Sequence, residues 1–381
     1  MTTQASAPPP STKSQALRSY DVADFPALTG LEEDWRFTPL KRLRGLTGEA
    51  QTATGAVRHE HGDLPEGVIV TRVGKDDPRV GSVLTPFDRV SALAYGGAEQ
   101  ALLIQVAPEA LVAEPVTVRV VGGGADAVAF GHSVVEVGRF AEVTLVLEHV
   151  GSATLADNVE VTVADGAKLT LVTIADWADD AVQAQHLKVK LGRDAKVVHI
   201  QVSLGGDLVR QFTSVEYTGR GGEAELYGVY FADSGQHLEH RQLVDHNVPD
   251  CRSYVGYRGA LQGADAHTVW VGDVLIQAEA TGTDTYEINR NLLLTDGARA
   301  DSVPNLEIET GEIAGAGHAS ATGRFDDEQL FYLMARGIPE AEARRLVVRG
   351  FFAELINKIP VEELRDRLGA AIEDRLAKAG A

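Results

Sequence analysis

Cysteine is nearly missing from this chain. Cys251 stands alone among 381 residues, so no internal disulfide forms, and a self-contained four-cysteine metal or cluster site is excluded. A single thiol also suits a reducing compartment. Positive charge is scarce as well, with 35 lysines and arginines against 55 aspartates and glutamates and a net charge of −20. Such a surface repels phosphate backbones and anionic headgroups, which argues against nucleic-acid and membrane-surface partners. No run of about eighteen apolar residues occurs, so no membrane-spanning helix is expected. Met1–Lys13 is rich in Pro, Ser and Thr and lacks the apolar stretch of a secretory signal. These absences together predict a soluble, cytoplasmic protein.

Catalytic signatures are absent too. The chain has no G-x-x-x-x-G-K-[ST] loop, and its nearest glycine cluster, Gly315-Ala316-Gly317, lacks the third glycine and the strand–turn–helix setting of a dinucleotide fingerprint. There is no G-x-S-x-G elbow, no H-E-x-x-H and no paired-cysteine motif. The chain therefore brings no ATP site and no intrinsic cofactor, and an enzyme is not expected.

What is present is ordinary globular composition, 44% hydrophobic and 24% charged, enough for a sizeable core. Residues 1–18, with Pro8, Pro9 and Pro10, read as a disordered tail. Residues 19–113 read as a partly helical region. Its first part carries Phe25, Trp35, Phe37 and Leu40 as docking aromatics and aliphatics, and near-helical spacing over Arg89–Gln105 predicts a helix interrupted by Gly96 and Gly97.

Residues 114–323 are short Val, Thr, Leu and Ile runs bounded by Gly and Asp, which are strands. A turn, an alanine, a charged residue and an apolar run recur. The alanines at 141, 167, 195 and 224 lie 26, 28 and 29 residues apart. A fixed turn at a coil-like period predicts stacked coils that each bury an apolar face on the next. The fold class is therefore mainly β, a β-solenoid of parallel β-helix type, with a β-sandwich as the alternative.

Residues 324–381 return to helical patterning. Asp326 or Asp327 caps a first helix that Gly337 closes, Pro339 opens a second that Pro360 stops, and Val361–Ala377 forms a third. The second helix carries two adjacent apolar stripes, Ala343, Leu346, Val347, Gly350, Phe351 and Leu355 beside Val348, Phe352, Ile356 and Ile359. So wide a band is either wrapped by neighbouring helices or meets a partner.

Candidate site residues are few. His237, His240 and His246 cluster ahead of Cys251, donors that suit zinc, iron or copper. A spacing of three sends His237 and His240 to opposite faces of a strand, which favours structural and hydrogen-bonding roles. Cys251 reads first as a small buried hydrophobe and second as a further metal ligand. His318, among Gly315, Ala316, Gly317, Ala319 and Ser320, is an imidazole kept accessible by small neighbours, which suits either a surface that another subunit approaches or a simply solvated side chain. The carboxylates Asp326 and Asp327 leave a β-helical carbohydrate-active enzyme as an alternative function, and a purely structural solenoid as another.

The run Asn289-Arg290-Asn291-Leu292-Leu293-Leu294, Pro304-Asn305-Leu306-Glu307-Ile308, His318 to Arg324, Asp326 to Leu333 and Arg336-Gly337-Ile338 resembles the C-terminal signature of the SufB/SufD family of iron–sulfur cluster assembly proteins. Trp35 to Leu40, Gly235-Gln236-His237 and Tyr257-Arg258-Gly259-Ala260 resemble its earlier blocks, so the likeness runs from about residue 20 to the C-terminus. Asn-Arg-Asn where SufB-type chains carry a cysteine, and Ala319 where they carry a glutamate, place the resemblance on the SufD side.

That resemblance implies a right-handed parallel β-helix with helical ends, acting as a non-catalytic scaffold in a SufBCD-type complex. It implies a SufB-like paralogue as partner and a SufC-like ABC ATPase docked on the C-terminal helices, about Asp326 to Ile359, through which alone ATP enters. It also implies that His318 is an interface ligand for transient iron or a nascent cluster. The cysteine that some SufD chains carry two residues earlier is Ala316 here.

Overall fold

The computed structural model describes residues 17–48, 53–325 and 327–378. Most of the expected tail, residues 1–16, and the proposed cap Asp326 lie outside the described residues. Two nine-stranded sheets face each other across a shared interior. Sheet A takes, in spatial order, β1 (Arg58–His61), β4 (Val116–Val121), β6 (Glu142–Gly151), β8 (Lys168–Trp177), β10 (Lys196–Ser203), β12 (Glu223–Ala232), β14 (Arg252–Leu261), β16 (Asp284–Leu293) and β18 (Gly315–Arg324). Sheet B takes β2 (Val68–Gly74), β3 (Gln100–Val106), β5 (Gly124–Val137), β7 (Ala153–Val163), β9 (Val182–Leu191), β11 (Leu208–Tyr217), β13 (His237–His246), β15 (His267–Ile276) and β17 (Arg299–Ile308).

From β4 onward the chain alternates between the sheets, and neighbours within each sheet run parallel. Antiparallel pairs occur at the start, β1 with β4 and β2 with β3. The result is a β-solenoid of about eight turns, as the repeat predicts, and the parallel register excludes the sandwich, whose sheets are antiparallel.

The repeat has a physical origin at one corner of the coil. Phe140, Gly166, Asp194, Gly221, Asp250 and Gly282 all adopt left-handed backbone, with φ between 54° and 75°. Their amides form a ladder. Phe140 N–H donates to the Asp165 carbonyl, Gly166 N–H to Arg193 and Asp194 N–H to Arg220, at 2.9 to 3.1 Å. Each acceptor directly precedes the next left-handed residue. One to three residues on, Ala141, Ala167, Ala195 and Ala224 are fully buried, small enough for the tight bend. The recurring Gly/Asp and Ala are thus the corner's steric requirements written once per coil.

The central strands, such as β7, β9, β11 and β13, bury both faces, as parallel sheets with covered surfaces do. Inward residues such as Leu145, Leu171, Val197 and Leu226 fill the common interior. Outward residues meet two added layers. On sheet B, Trp35, Leu43 and Leu46 pack with Val90 and Ala94 of α1 (Arg89–Gly97) against Ala156, Val182 and Leu208. The N-terminal segment is also fixed by charge. The Arg210 guanidinium lies 3.8 Å over the Trp35 ring, and buried Glu239 accepts from the Thr38 hydroxyl at 2.7 Å. The helix expected over residues 89–105 ends at Gly97, and a strand follows, because Ala101, Leu102, Leu103 and Ile104 are buried on both sides in a way no amphipathic helix reproduces.

On sheet A lie the C-terminal helices α3 (Glu340–Ile356) and α4 (Glu362–Lys378), with α2 (Asp327–Ala335) packed on α3. Val348, Phe352 and Leu355 of α3, then Ile359, then Leu364, Leu368 and Ile372 of α4 pack on Val172, Ile174, Ile200, Val202 and Val229. The second stripe of the wide apolar band is therefore intramolecular. Part of the first is not, since Leu346 remains exposed together with Phe331, Tyr332 and Met334 of α2.

Candidate functional site

The two ends of the solenoid differ. At the start, the sheet A edge strand β1 reads Arg-His-Glu-His and is short, charged and mostly exposed, a composition that discourages strand addition. At the other end sheet A stops on β18, ten residues of Gly, Ala, Ser and Thr carrying His318 and a terminal Arg324. Sheet B stops beside it on β17, where Pro304 is tolerated because an edge strand need not donate from every residue. Among the described residues no strand pairs with the outer edge of β17 or β18.

His318 sits near the middle of that last strand, in register with Glu287 of β16. Its side chain is 44% exposed, that of Glu287 1%, and His318 Nδ1 stands 3.8 Å from Glu287 Oε1. Glu287 points inward over Gly272 of β15, where a methyl group would fall 2.3 Å from Oε2, so the absent side chain makes room for the carboxyl group. Burial and the nearby Asp273 push the Glu287 carboxyl up to about 8, and the Asn305 backbone amide offsets only part of this. Among the described residues no side chain hydrogen-bonds either Glu287 oxygen, which leaves the Asn305 amide as the donor acting on it. A buried carboxyl group thus lies directly beneath a solvent-facing imidazole.

Around it, the Asn289 and Asn291 block clamps the last coils. Asn291 donates to Asn289 Oδ1 at 2.7 Å and to Thr322 of β18 at 3.4 Å, Ser302 of β17 donates to Asn289 at 2.6 Å, and Tyr230 of β12 donates to Asn291 at 2.6 Å. Four strands are tied through two amides. This holds β18 in register and fixes His318 over Glu287.

The other sequence candidates lie elsewhere. Cys251 occupies a corner before β14, buried, its sulfur 3.5 Å from the Gly219 and Pro249 carbonyls, and burial raises its thiol pKa. Val255, the β14 residue in register with Glu287, is four positions further on, about 13 Å along the strand. His237 and His240 do point to opposite faces of β13. His240 turns inward to Ser203 at 2.9 Å and stacks on Tyr230, and burial lowers it to about 3. His237 turns outward to Glu239 and His267. His246 holds Ser253 at 2.9 Å and stacks on Tyr217.

Among the described residues no group of three or more His, Cys, Asp or Glu could hold a metal ion, so His318 and Glu287 amount to half a coordination sphere. Glu287 was missed by motif reading. Its signal was parity: Thr285, Glu287, Asn289 and Asn291 are four polar residues at inward positions of one strand, where the first coils, β4, β6 and β8, place mainly aliphatics.

Comparison with known proteins agrees with this geometry. Residues 120–351 match the SUF system FeS cluster assembly, SufBD core domain. An iron–sulfur cluster assembly SufBD family protein of Mycobacterium bovis is 57% identical over 370 residues, 96% of this chain and 93% of that protein. The iron–sulfur cluster assembly protein SufD of Bacillus subtilis is 28% identical over 327 residues, 83% of this chain and 71% of that protein. SufD of Escherichia coli is 29% identical over 191 residues, half of this chain and 45% of that protein. A solenoid core matched along its length, with the signature blocks on its final coils, makes this chain a member of the SufBD family of iron–sulfur cluster assembly proteins.

Proposed function

We propose that this chain is a non-catalytic scaffold subunit of a SufBCD-type complex, joined to a SufB-like paralogue at the C-terminal end of its solenoid. The observation that carries the reading is the asymmetry of the ends, a charged β1 at one and the small-residue strand β18 at the other. Unpaired parallel edges extend when a second solenoid adds its strands, and β18 offers few side chains in the way. Such a junction encloses His318, which then contributes to holding iron or a nascent cluster between the two chains. Neither is resident on this chain alone.

The exposed Phe331, Tyr332, Met334 and Leu346 lie on α2 and α3 beside the packed stripe, the kind of apolar patch that marks a docking face. It receives the SufC-like ABC ATPase, which supplies the nucleotide chemistry this sequence lacks. The complex works in the cytoplasm.

Co-expression with the SufB-like and SufC-like chains, followed by affinity purification and anaerobic iron and sulfide analysis, tests the reading. A stable ATPase-containing complex whose iron falls in His318→Ala is expected. No complex would overturn the assignment and revive a β-helical carbohydrate-active enzyme. A complex with unchanged iron would reduce the chain to a structural solenoid.

A further inference from the structure

We infer that Glu287 is the second iron ligand at this end of the solenoid, its carboxylate closing on a ferrous ion that His318 captures. The inference rests on the proposed role of His318 and adds a donor from inside the coil.

Geometry comes first. Two donors each about 2.1 Å from a first-row metal ion stand about 3 to 4 Å apart, and His318 Nδ1 and Glu287 Oε1 stand 3.8 Å apart. Carboxylate oxygen with imidazole nitrogen is a donor pair suited to ferrous ion. The two residues share a register position on hydrogen-bonded strands, so backbone pairing presets their separation.

The second argument is that the fold leaves the buried Glu287 carboxyl group poorly satisfied. Its side chain is 1% exposed, and among the described residues no side chain hydrogen-bonds either oxygen, the Asn305 backbone amide being the donor that acts on the carboxyl group. A buried acid left in this state costs stability, and each such group calls for an explanation. Gly272 keeps the space clear for it, and Ala316, Gly317 and Ala319 put no bulky side chain beside His318 on β18. Two donors do not complete a site, so the remaining ligands come from across the junction or from sulfide.

The test is anaerobic equilibrium binding of ferrous ion to the full chain and to its complex with the SufB-like partner. Wild type, Glu287→Gln, Glu287→Leu and His318→Ala are compared, with thermal melting of each. His318-dependent affinity should fall roughly 10- to 100-fold in both Glu287 variants, while Glu287→Leu melts at or above wild type because a poorly satisfied buried group is gone. Wild-type affinity in both Glu287 variants with binding lost in His318→Ala would overturn the inference and leave the His318 reading intact. No His318-dependent ferrous binding in wild type would overturn both. A Glu287→Leu chain that melts well below wild type would make Glu287 a structural residue and sink the argument from its poorly satisfied carboxyl group.

Discussion

Arg367 of α4 places its guanidinium 2.5 Å from Glu148 Oε1 in β6, and Arg119 of β4 takes the other oxygen at 2.9 Å. The carboxylate is 2% exposed, so α4 is fixed to sheet A by a buried charge as well as by Leu364, Leu368 and Ile372. Arg367→Met should leave Glu148 half satisfied and cost about 1–3 kcal/mol. Hydrogen exchange resolves where the loss falls, since the α4 amides should open faster while the β10 and β12 amides keep their protection. Equal loss across both would contradict a local anchor.

Four interior or covered histidines should make the fold acid-sensitive above the carboxylate range. Burial lowers His186 and His199 to about 4 and His240 and His246 to about 3. Their folded values are depressed, so the unfolded chain binds more protons below about 6.5, and stability is present above that value and lost as pH falls toward 4. At pH 5 each ring costs about 2 kcal/mol. Urea midpoints from pH 7.5 to 5 should decline steadily, and His199→Gln should flatten the slope. A midpoint independent of pH in that window would contradict the buried neutral assignment.

Glycines at the corner and on the helices should respond oppositely to alanine. Gly166 has φ 68°, and a methyl group there would meet the Phe140 ring at 2.4 Å. Gly166→Ala should cost about 1–2 kcal/mol. Gly350, mid-α3, has nothing within 4 Å, and Gly350→Ala should gain up to about 1 kcal/mol. Thermal melts of the two variants decide it, and a stabilised Gly166→Ala would mean the corner ladder tolerates a side chain.

The solenoid was legible because its corner repeats a steric demand, and Ala141, Ala167, Ala195 and Ala224 record it at each step. The C-terminal helices were legible from Gly337, Pro339 and Pro360, local signals that need no tertiary context. What stayed hidden depends on pairing across the coil. Glu287 and His318 are 31 positions apart, and their meeting is set by the register of β16 with β18, which turn length fixes and periodicity does not reveal. The strand at Gln100–Val106 was hidden for a related reason. Burial on both faces erases the alternation that separates strand from helix.

The difference between the two ends of the solenoid also bears on how the protein is made. The blunted β1 and the antiparallel start leave the ribosome first, and each later coil emerges beside a finished one that templates it. The adhesive pair β17 and β18 exists only after nearly every other strand is in place, and α2 to α4 follow at once. A nascent chain therefore carries its aggregation-prone edge for the shortest part of synthesis. Moving those coils toward the N-terminus by circular permutation would lengthen that exposure while keeping the same strand order in each sheet.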